Sequence, residues 1–326
     1  MQRLVNHPPQ SAPVHPTPFT PGLMTACQRL AQPWAEAGAE VTPHLLGHSS
    51  NLAVALEPLP LVARIATGTA VLRTDGQHAH REVALTAWLA ERGAAVGQPA
   101  SAPQAGPHQL QADGRTWTTT VWQRLAVTPG EPAAHQAGQA LAHIHRLLHH
   151  HSDDAALATL PGADWAVFDE LQALLLLPTV QASAPAAQRA FVAEQALACA
   201  EQLKRLALPC QWVHGDAHLN NVPNTAAGPL WVDWEDATRA PVHWDLACLL
   251  AGARVLGTHA AWSESALAGW ESVAGPLRSA DQLAALALCI RARTLFVCAW
   301  MWALGLNDET RRTRHAARLA WLGWRG

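Results

Sequence analysis

The residues best suited to chemistry are concentrated between positions 212 and 247 of the 326-residue chain. Three polar groups occur there: WVHGDAHLNNV at 212–222, LWVDWED at 230–236 and PVHWDLA at 241–247. Because polar side chains stand between short apolar runs in each group, we expect them to project from strand ends into a cleft. Phosphoryl transfer to a hydroxyl needs such a set: a carboxylate that accepts the alcohol proton, and further oxygen ligands for Mg2+.

The spacing within these groups narrows the chemistry. Asp216 and Asn221 are five residues apart, the spacing of the base and the metal-binding asparagine in a kinase catalytic loop. Asp233 follows the apolar run at 230–232 and would supply a second metal carboxylate. Acids placed like Glu235 and Asp236 are more often solvated than catalytic. Glu235 could contact the metal cluster indirectly, through its direct ligands. Asp236 is not assigned to the site. Taken singly, an aspartate or asparagine here could also be a turn residue.

The ordered motifs H-G-D-x-x-x-x-N, V-D-W-E-D and W-D-L-A resemble those of the aminoglycoside phosphotransferase and choline kinase-like family, small-molecule relatives of the protein kinases. The resemblance implies that Asp216 is the catalytic base and that Asn221 and Asp233 are Mg2+ ligands. It also implies that His214 and Asp245 support the loop structurally. An aspartate such as Asp245 can equally cap the helix that is predicted to start beside it.

The same resemblance implies a nucleotide site nearer the N-terminus. A loop at 46–51 with a single glycine would cover the phosphates, with Ser49 and Ser50 at its tip; a polar hairpin turn is the alternative. In kinases a strand lysine holds the phosphates and pairs with a helical glutamate. Arg64 and Glu82 occupy the corresponding positions, and their alternative is an ordinary surface ion pair.

The composition bears directly on that pair. The chain has 22 basic residues, of which only Lys204 is a lysine, and Lys204 falls in a predicted helix at 186–206. Arg64 must therefore take the phosphate-binding role, or the kinase interpretation weakens. The backbone at Gln123 and Leu125 is expected to face the nucleotide base. The implied cofactors are ATP, with GTP left open, and Mg2+.

The elements that must position these residues predict an α+β, protein-kinase-like fold in two lobes. Short strands at 41–46, 52–56, 59–66 and 115–123, with a helix at 80–92, predict a small lobe with an antiparallel sheet. Helical spacing dominates the remainder, with helices at 133–150, 164–177 and 186–206 and several more after 245. The predicted boundaries are a Pro-rich flexible tail at 1–22, a nucleotide-binding lobe at 23–125 and a helical lobe at 126–326.

Composition excludes several other classes of protein. Hydrophobic residues make up 49% and charged residues 14%, which allows a large core, and a net charge of −3 argues against a nucleic-acid partner. Six scattered cysteines without a C-x-x-C pair indicate reduced thiols in the cytoplasm. The most apolar stretch, 294–306, is shorter than the roughly 20 residues that span a bilayer, so no membrane partner is expected. A monomer or a homodimer is expected.

The acceptor would be a small-molecule hydroxyl of aminoglycoside, choline or other alcohol type. Residues 152–201 contain seven acidic residues against one arginine, whereas residues 246–326 contain five against nine. Only the first segment suits a polycation. The candidate substrate residues are three acids and one tryptophan: Asp164, Asp169, Glu170 and Trp300. The alternative for the three acids is a solvated helix face, and the alternative for the tryptophan is that it fills the core.

Two other functions stay open at this point. His214, Asp216 and His218 alternate along a predicted strand and could chelate zinc in a hydrolase. The second alternative is a nucleotide-binding pseudokinase without turnover, suggested by Arg64 and the sparse glycine loop. The presence of the base and of both metal ligands favours an active enzyme over a pseudokinase.

Overall fold

The structure is a computed structural model, which describes residues 18–48, 51–73 and 75–325. Most of the tail predicted at 1–22 lies outside these residues. Helix α1 (Pro21–Ala31) begins within the last part of that segment, with a proline in its first turn and the side chain of Thr20 capping it. Proline is favoured there because its missing N–H would be unpaired in the first turn.

The N-terminal part contains a five-stranded antiparallel sheet, with the strand order β1-β2-β3-β5-β4. Its strands are β1 (Thr42–His48), β2 (Leu52–Glu57), β3 (Leu61–Ile65), β4 (His108–Ala112) and β5 (Arg115–Gln123). Strand β1 pairs with β2, β2 with β3, and β4 with β5, as the Pro- and Gly-punctuated apolar runs predict, and β5 also pairs with β3. The predicted antiparallel sheet is confirmed.

The side chains of β3 alternate between the two faces of the sheet, and this alternation determines which of them reach the cleft. Leu61, Ala63 and Ile65 are buried in the apolar core that the sheet forms with α1. Because successive side chains point to opposite faces of a strand, Arg64 faces the other side of the sheet. Helix α2 (Gln77–Glu91) lies on that side and brings the buried Glu82 to Arg64.

The rest of the described chain is mostly helical, as predicted. Its helices are α3 (Ala134–His150), α4 (Ala155–Ala158), α5 (Ala166–Leu176), α6 (Pro178–Ser183), α7 (Ala186–Leu206), α8 (His243–Leu256), α9 (Ala260–Ala274), α10 (Ala280–Leu304) and α11 (Glu309–Trp321). Two short antiparallel pairs of strands interrupt them, formed by β6 (Gln211–Val213) with β9 (Thr238–Ala240) and by β7 (Asn224–Thr225) with β8 (Gly228–Pro229). The polar groups singled out in the sequence lie mostly in the segments next to these short strands.

Helices α3 and α9 pack unusually closely, which matters for the site. A Cβ at Gly138 would lie 1.8 Å from the carbonyl oxygen of Ala266, and one at Gly269 would lie 2.0 Å from that of His135. Only glycine permits such an approach of two backbones. The close contact brings α9 against the buried face of α3.

Helix α10 is longer than the apolar run at 294–306 that the sequence shows. It is the one helix of the described residues that is long and apolar enough to cross a membrane. Half of its apolar window is buried inside the protein, and Arg291 and Arg293 on it bind Gln195 and Asp216. These contacts make α10 a helix of the core.

Candidate active site

One buried carboxylate anchors residues 214–222, which we call the catalytic loop after the role that the sequence predicts for it. Asp245, in the first turn of α8, has no exposed surface. It accepts hydrogen bonds of 2.8 Å from the backbone N–H groups of His214 and Gly215, and a third of 2.8 Å from His145 Nε2. A buried carboxylate is stable only when its oxygens are paired in this way, so Asp245 fixes the start of the loop.

A second layer of side chains orients that anchor. Trp270 on α9 donates from Nε1 to His145 Nδ1 over 3.0 Å, which leaves Nε2 of His145 to donate to Asp245. Trp244 Nε1 donates to the carbonyl oxygen of Gly215 over 2.9 Å. The close packing of α3 and α9 therefore reaches the catalytic loop through hydrogen bonds between buried groups.

Gly215 is required by the shape of this loop. Its φ is +87°, in the left-handed region that favours glycine, and a Cβ there would lie 1.8 Å from the carbonyl oxygen of Asp236. The sharp turn presents Asp216 immediately afterwards, at the mouth of the cleft.

His214 joins the loop to the segment before Asp233. Its Nε2 donates to the carbonyl oxygen of Val232 over 2.9 Å, and its Nδ1 accepts from the N–H of Asp216 over 3.3 Å. Both ring nitrogens are thus engaged by the backbone, and His214 has no free lone pair for the zinc site considered with His218. Within the described residues no group of three or more His, Cys, Asp or Glu side chains is arranged to bind a metal ion.

The Asp216 carboxylate lies between the side chains of Arg293 and His218. Arg293 of α10 contacts its Oδ1, and His218 Nε2 lies 3.2 Å from its Oδ2. Asn221 Nδ2 donates to the Asp216 carbonyl oxygen over 2.9 Å. Burial alone would raise the pKa of Asp216, yet Arg293 and His218 hold that pKa below its ordinary value. The carboxylate is therefore ionised at neutral pH and can accept a proton.

Opposite Asp216 lies a group that we call the Arg64 cluster: Arg64, Glu82, Asp233 and Glu235. Arg64 Nη1 donates to Glu82 over 2.5 Å, and Nη2 contacts Asp233 Oδ1 and lies 3.2 Å from Glu235. Asn51 Nδ2 donates to Glu235 over 2.8 Å. Burial raises the pKa of Glu82 to about 7 and that of Glu235 to about 8, against the lowering effect of Arg64. Three acids thus share one arginine.

A second arginine binds the segment that follows. Arg73 donates from Nε and Nη2 to Glu170 over 3.0 and 2.8 Å, and Nη2 also contacts Asp236. Its guanidinium carbon lies 6.0 Å from the centre of the Trp300 ring. Burial would raise the pKa of Asp236, but Arg73 holds that pKa below its ordinary value. Two predicted substrate residues, Glu170 and Trp300, therefore meet at Arg73.

The oxygen atoms near Asp216 suit a hard divalent cation. The N–H of Val232 donates to the carbonyl oxygen of Asn221 over 3.0 Å, which brings Asn221 next to the residue before Asp233. Within the described residues no hydrogen bond engages Asn221 Oδ1 or Asp233 Oδ2. An amide oxygen and a carboxylate oxygen are ligand types that Mg2+ prefers.

The other predicted substrate residues lie in different places. Asp169 is exposed and lines a cavity beside Glu170. Asp164 is also exposed, and it forms an ion pair of 2.7 Å with Arg239 outside that cavity. The structure therefore brings Asp169 and Glu170 to the site but not Asp164.

The predicted base-facing residues are described only in part. Ser49 and Ser50 lie outside the described residues. Gln123 ends β5, and its N–H donates to the carbonyl oxygen of Gln98 over 2.8 Å. Leu125 follows two residues later and is half-buried.

Four residues of the site escaped the sequence interpretation. Arg73 and Arg293 belong to no motif. In the sequence, an isolated arginine in a loop or on an apolar helix indicates only a surface or flanking charge. Asp236 has the sequence pattern of a solvated acid, and His145 is one of several histidines in a His-rich helix. Charge compensation was the available signal: a cluster of buried acids needs cations nearby.

The chain matches the family model of the phosphotransferase enzyme family over residues 41–282, well over half of its length. No curated protein matches the sequence significantly.

Several solved structures share the fold at low sequence identity. A choline/ethanolamine kinase family protein from Mesorhizobium loti has a TM-score of 0.58 and 20% identity, with 92% of each chain covered. Amicoumacin kinase in complex with AMP-PNP and Ca2+ has a TM-score of 0.63 and 14% identity, covering 86% of this chain and 87% of that one. An aminoglycoside phosphotransferase from Streptomyces rimosus, in complex with ADP and streptomycin, has a TM-score of 0.54 and 15% identity, covering 87% and 100%. The predicted two-lobed, protein-kinase-like fold is confirmed.

Proposed function

The chain belongs to the phosphotransferase enzyme family, and we propose that it transfers the γ-phosphate of ATP to a hydroxyl group of a small molecule in a magnesium-dependent reaction. The observation that supports this most strongly is a chain of contacts: Asn221 binds the backbone of Asp216 and of Val232, the residue before Asp233, and Asp233 contacts Arg64, which also pairs with Glu82. Solved relatives of the same fold hold AMP-PNP with Ca2+ or ADP.

In this proposal Asp216 is the general base. Its ionised carboxylate accepts the proton of the acceptor hydroxyl while the hydroxyl oxygen bonds to the γ-phosphorus. The bond from that phosphorus to the bridging oxygen breaks, and ADP leaves with the electron pair. Arg293 and His218 keep Asp216 ionised until the proton arrives.

The remaining roles follow from the free atoms of the site. Asn221 Oδ1 and Asp233 Oδ2 would hold Mg2+, which when bound neutralises charge on the phosphates. Arg64 would exchange its contact with Asp233 for the nucleotide phosphates and keep its contact with Glu82. An arginine fork can bind phosphate through two N–H groups, which a lysine cannot. Ser49, Ser50, Gln123 and Leu125 would contact the nucleotide.

The test is release of ADP from MgATP by the full chain with a panel of alcohols, repeated with GTP. Asp216→Asn preserves shape but cannot accept the proton, so we expect kcat to fall by about a thousandfold while ATP still binds. Asp153→Asn is the matched control, because Asp153 is exposed and outside the site. Nucleotide binding without turnover of any alcohol would establish the pseudokinase alternative instead.

Three wider expectations are part of the same proposal. We propose that the nucleotide-binding lobe ends at residue 125 and that the helical lobe begins at 126. The protein would act in the cytoplasm, where its six unpaired cysteines stay reduced. It would function as a monomer or a homodimer.

A further inference from the structure

A cavity of about 300 Å3 opens beside the catalytic loop, between helices α8, α10 and α11. We call it the basic cavity, and its polar lining includes His218, Asn220, Arg293, Arg314 and Arg318. Apolar side chains of α8 form much of the remaining wall. A volume near the lower end of the range for small-molecule sites suits a small ligand.

The lining of the basic cavity carries three arginines and no acidic residue. Arg314 is exposed, and Arg318 is half-buried with Nη1 3.3 Å from Met301 Sδ and 3.3 Å from the carbonyl oxygen of Arg314. Within the described residues no carboxylate lies within 4 Å of the guanidinium of Arg314 or Arg318. No carboxylate in the described part of the chain therefore pairs with either positive charge.

The electrostatic environment of Arg318 also favours an anion in the basic cavity. Burial lowers the pKa of Arg318, and the charges of Arg293 and Arg314 lower it further. An anion in the cavity would relieve this mutual repulsion and pair with guanidinium groups in a fork geometry.

The basic cavity is directly connected with the proposed base. Arg293 contacts Asp216 Oδ1, His218 lies beside Asp216 Oδ2, and both side chains line the cavity. A ligand in the cavity can therefore present a hydroxyl to Asp216 from one end while its other end lies toward α11.

The neighbouring cavity, of about 380 Å3, does not offer the opposite charge. Besides His78, its ionisable lining is balanced, with three arginines and three acids: Arg73, Arg81, Arg293, Asp169, Glu170 and Asp236. Most of these acids are already paired with Arg73. Neither cavity beside Asp216 therefore has the excess of negative charge that a polycationic acceptor would require.

We propose that the acceptor is a small anionic alcohol, which binds in the basic cavity with its carboxylate or phosphate on Arg314 and Arg318 and its hydroxyl at Asp216. This inference rests on the proposed phosphotransfer and specifies its substrate class. In the transfer the hydroxyl proton passes to Asp216 and the phosphoryl group to the hydroxyl oxygen, while the anionic group only anchors the molecule.

The first experiment compares four alcohols of similar size with MgATP: glycerate and glycerol 3-phosphate as anions, glycerol as the neutral analogue and choline as the cation. We expect kcat/KM for an anionic alcohol to exceed that for glycerol and choline by at least about tenfold, as one charge-assisted contact provides. Preferential turnover of choline overturns the proposed substrate class and leaves the kinase function intact.

The second experiment measures binding without turnover, by calorimetric titration of glycerate and glycerol 3-phosphate into the full chain at constant ionic strength. The double variant Arg314→Gln with Arg318→Gln should weaken binding by at least about tenfold. Arg318→Lys should retain most of it, because the charge remains. Arg312→Gln is the matched control: Arg312 lies on the same helix, is exposed and does not line the cavity.

These measurements separate the two proposals. If both anions bind in the basic cavity but no alcohol yields ADP, the kinase function is wrong and the anion site stands. If neither anion binds the wild type at millimolar concentration, or if the double variant binds both as tightly as Arg312→Gln does, the anionic acceptor is wrong.

Discussion

The catalytic loop and the Arg64 cluster hold their functional groups in opposite ways. In the loop, buried groups with short side chains bind the backbone: Asp245 accepts from two N–H groups, and His214 engages Val232 and Asp216 through both ring nitrogens. In the Arg64 cluster, a long arginine side chain bridges several carboxylates.

The difference separates a preorganised part of the site from an exchangeable part. Backbone-directed hydrogen bonds from buried groups leave the loop one geometry, which is what a catalytic base requires. The Arg64 cluster has three carboxylates for one guanidinium, and burial raises the pKa of Glu82 to about 7 and that of Glu235 to about 8. Such a cluster is short of positive charge, so a divalent cation can enter while Arg64 turns to a phosphate.

The largest effect should come from the preorganised side, with Gly215→Ala. The new Cβ meets the Asp236 carbonyl oxygen at 1.8 Å in a backbone conformation that favours glycine. Because Asp245 fixes the loop, the clash cannot be relieved cheaply. We expect the free energy of unfolding to fall by about 3 kcal/mol or more, measured by denaturant unfolding, with catalysis lost.

Gly257→Ala supplies the matched control for that variant. Gly257 also has a positive φ, +68°, but a Cβ there would meet no atom within 4 Å. Its cost should be about 1 kcal/mol, the conformational strain alone. If both variants lost the same free energy of unfolding, the close approach to Asp236 would be unimportant. The evidence that the catalytic loop is preorganised would then be removed.

A smaller effect is expected on the exchangeable side, from Arg64→Lys. The charge remains, but a lysine cannot contact Glu82, Asp233 and Glu235 through a planar fork. We expect the free energy of unfolding to fall by about 1–2 kcal/mol and KM for ATP to rise by about tenfold, with kcat changed less. Steady-state kinetics with varied ATP and denaturant unfolding check both numbers.

The control is Arg254→Lys, in an exposed pair of 2.9 Å with Glu264. Exposed pairs contribute at most about 1 kcal/mol, so neither stability nor KM should change appreciably. If Arg64→Lys lowered kcat severely and left KM for ATP unchanged, Arg64 would belong with the rigid catalytic loop. The distinction between a preorganised loop and an exchangeable cluster would then be wrong.

The same contrast explains how much of the site was predictable from the sequence. Asp216, Asn221 and Asp233 were recognisable because a rigid loop demands fixed residue types at fixed spacing. The strands and helices followed from apolar periodicity, since β3 alternates and α7 begins and ends where its pattern predicts.

What escaped prediction were side chains that arrive from distant parts of the chain. Arg73 and Arg293 reach Asp236 and Asp216 across sequence separations of 163 and 77 residues. His145 reaches Asp245 across 100. Such contacts satisfy buried charge, and many placements of an arginine or a histidine could do so equally well. Local pattern therefore carries no information about which residue does it.

The smallest expected effect concerns His218, whose contact with Asp216 is an exchangeable side-chain pair within the rigid loop. Burial lowers the pKa of His218, but the Asp216 charge dominates and raises that pKa above its ordinary value. A histidine with a raised folded-state pKa stabilises the protein fully below its unfolded-state pKa near 6.5, and this contribution is lost as pH rises through the raised value.

His218→Asn should therefore lower the free energy of unfolding by less than about 1 kcal/mol at pH 6, and by less still at pH 9. Denaturant unfolding at both pH values measures this, with His80→Asn as a control at an exposed histidine without a carboxylate partner among the described residues. A loss at both pH values as large as that of Gly215→Ala would mean that side-chain charge, rather than the backbone hydrogen bonds of Asp245, determines the geometry of the loop.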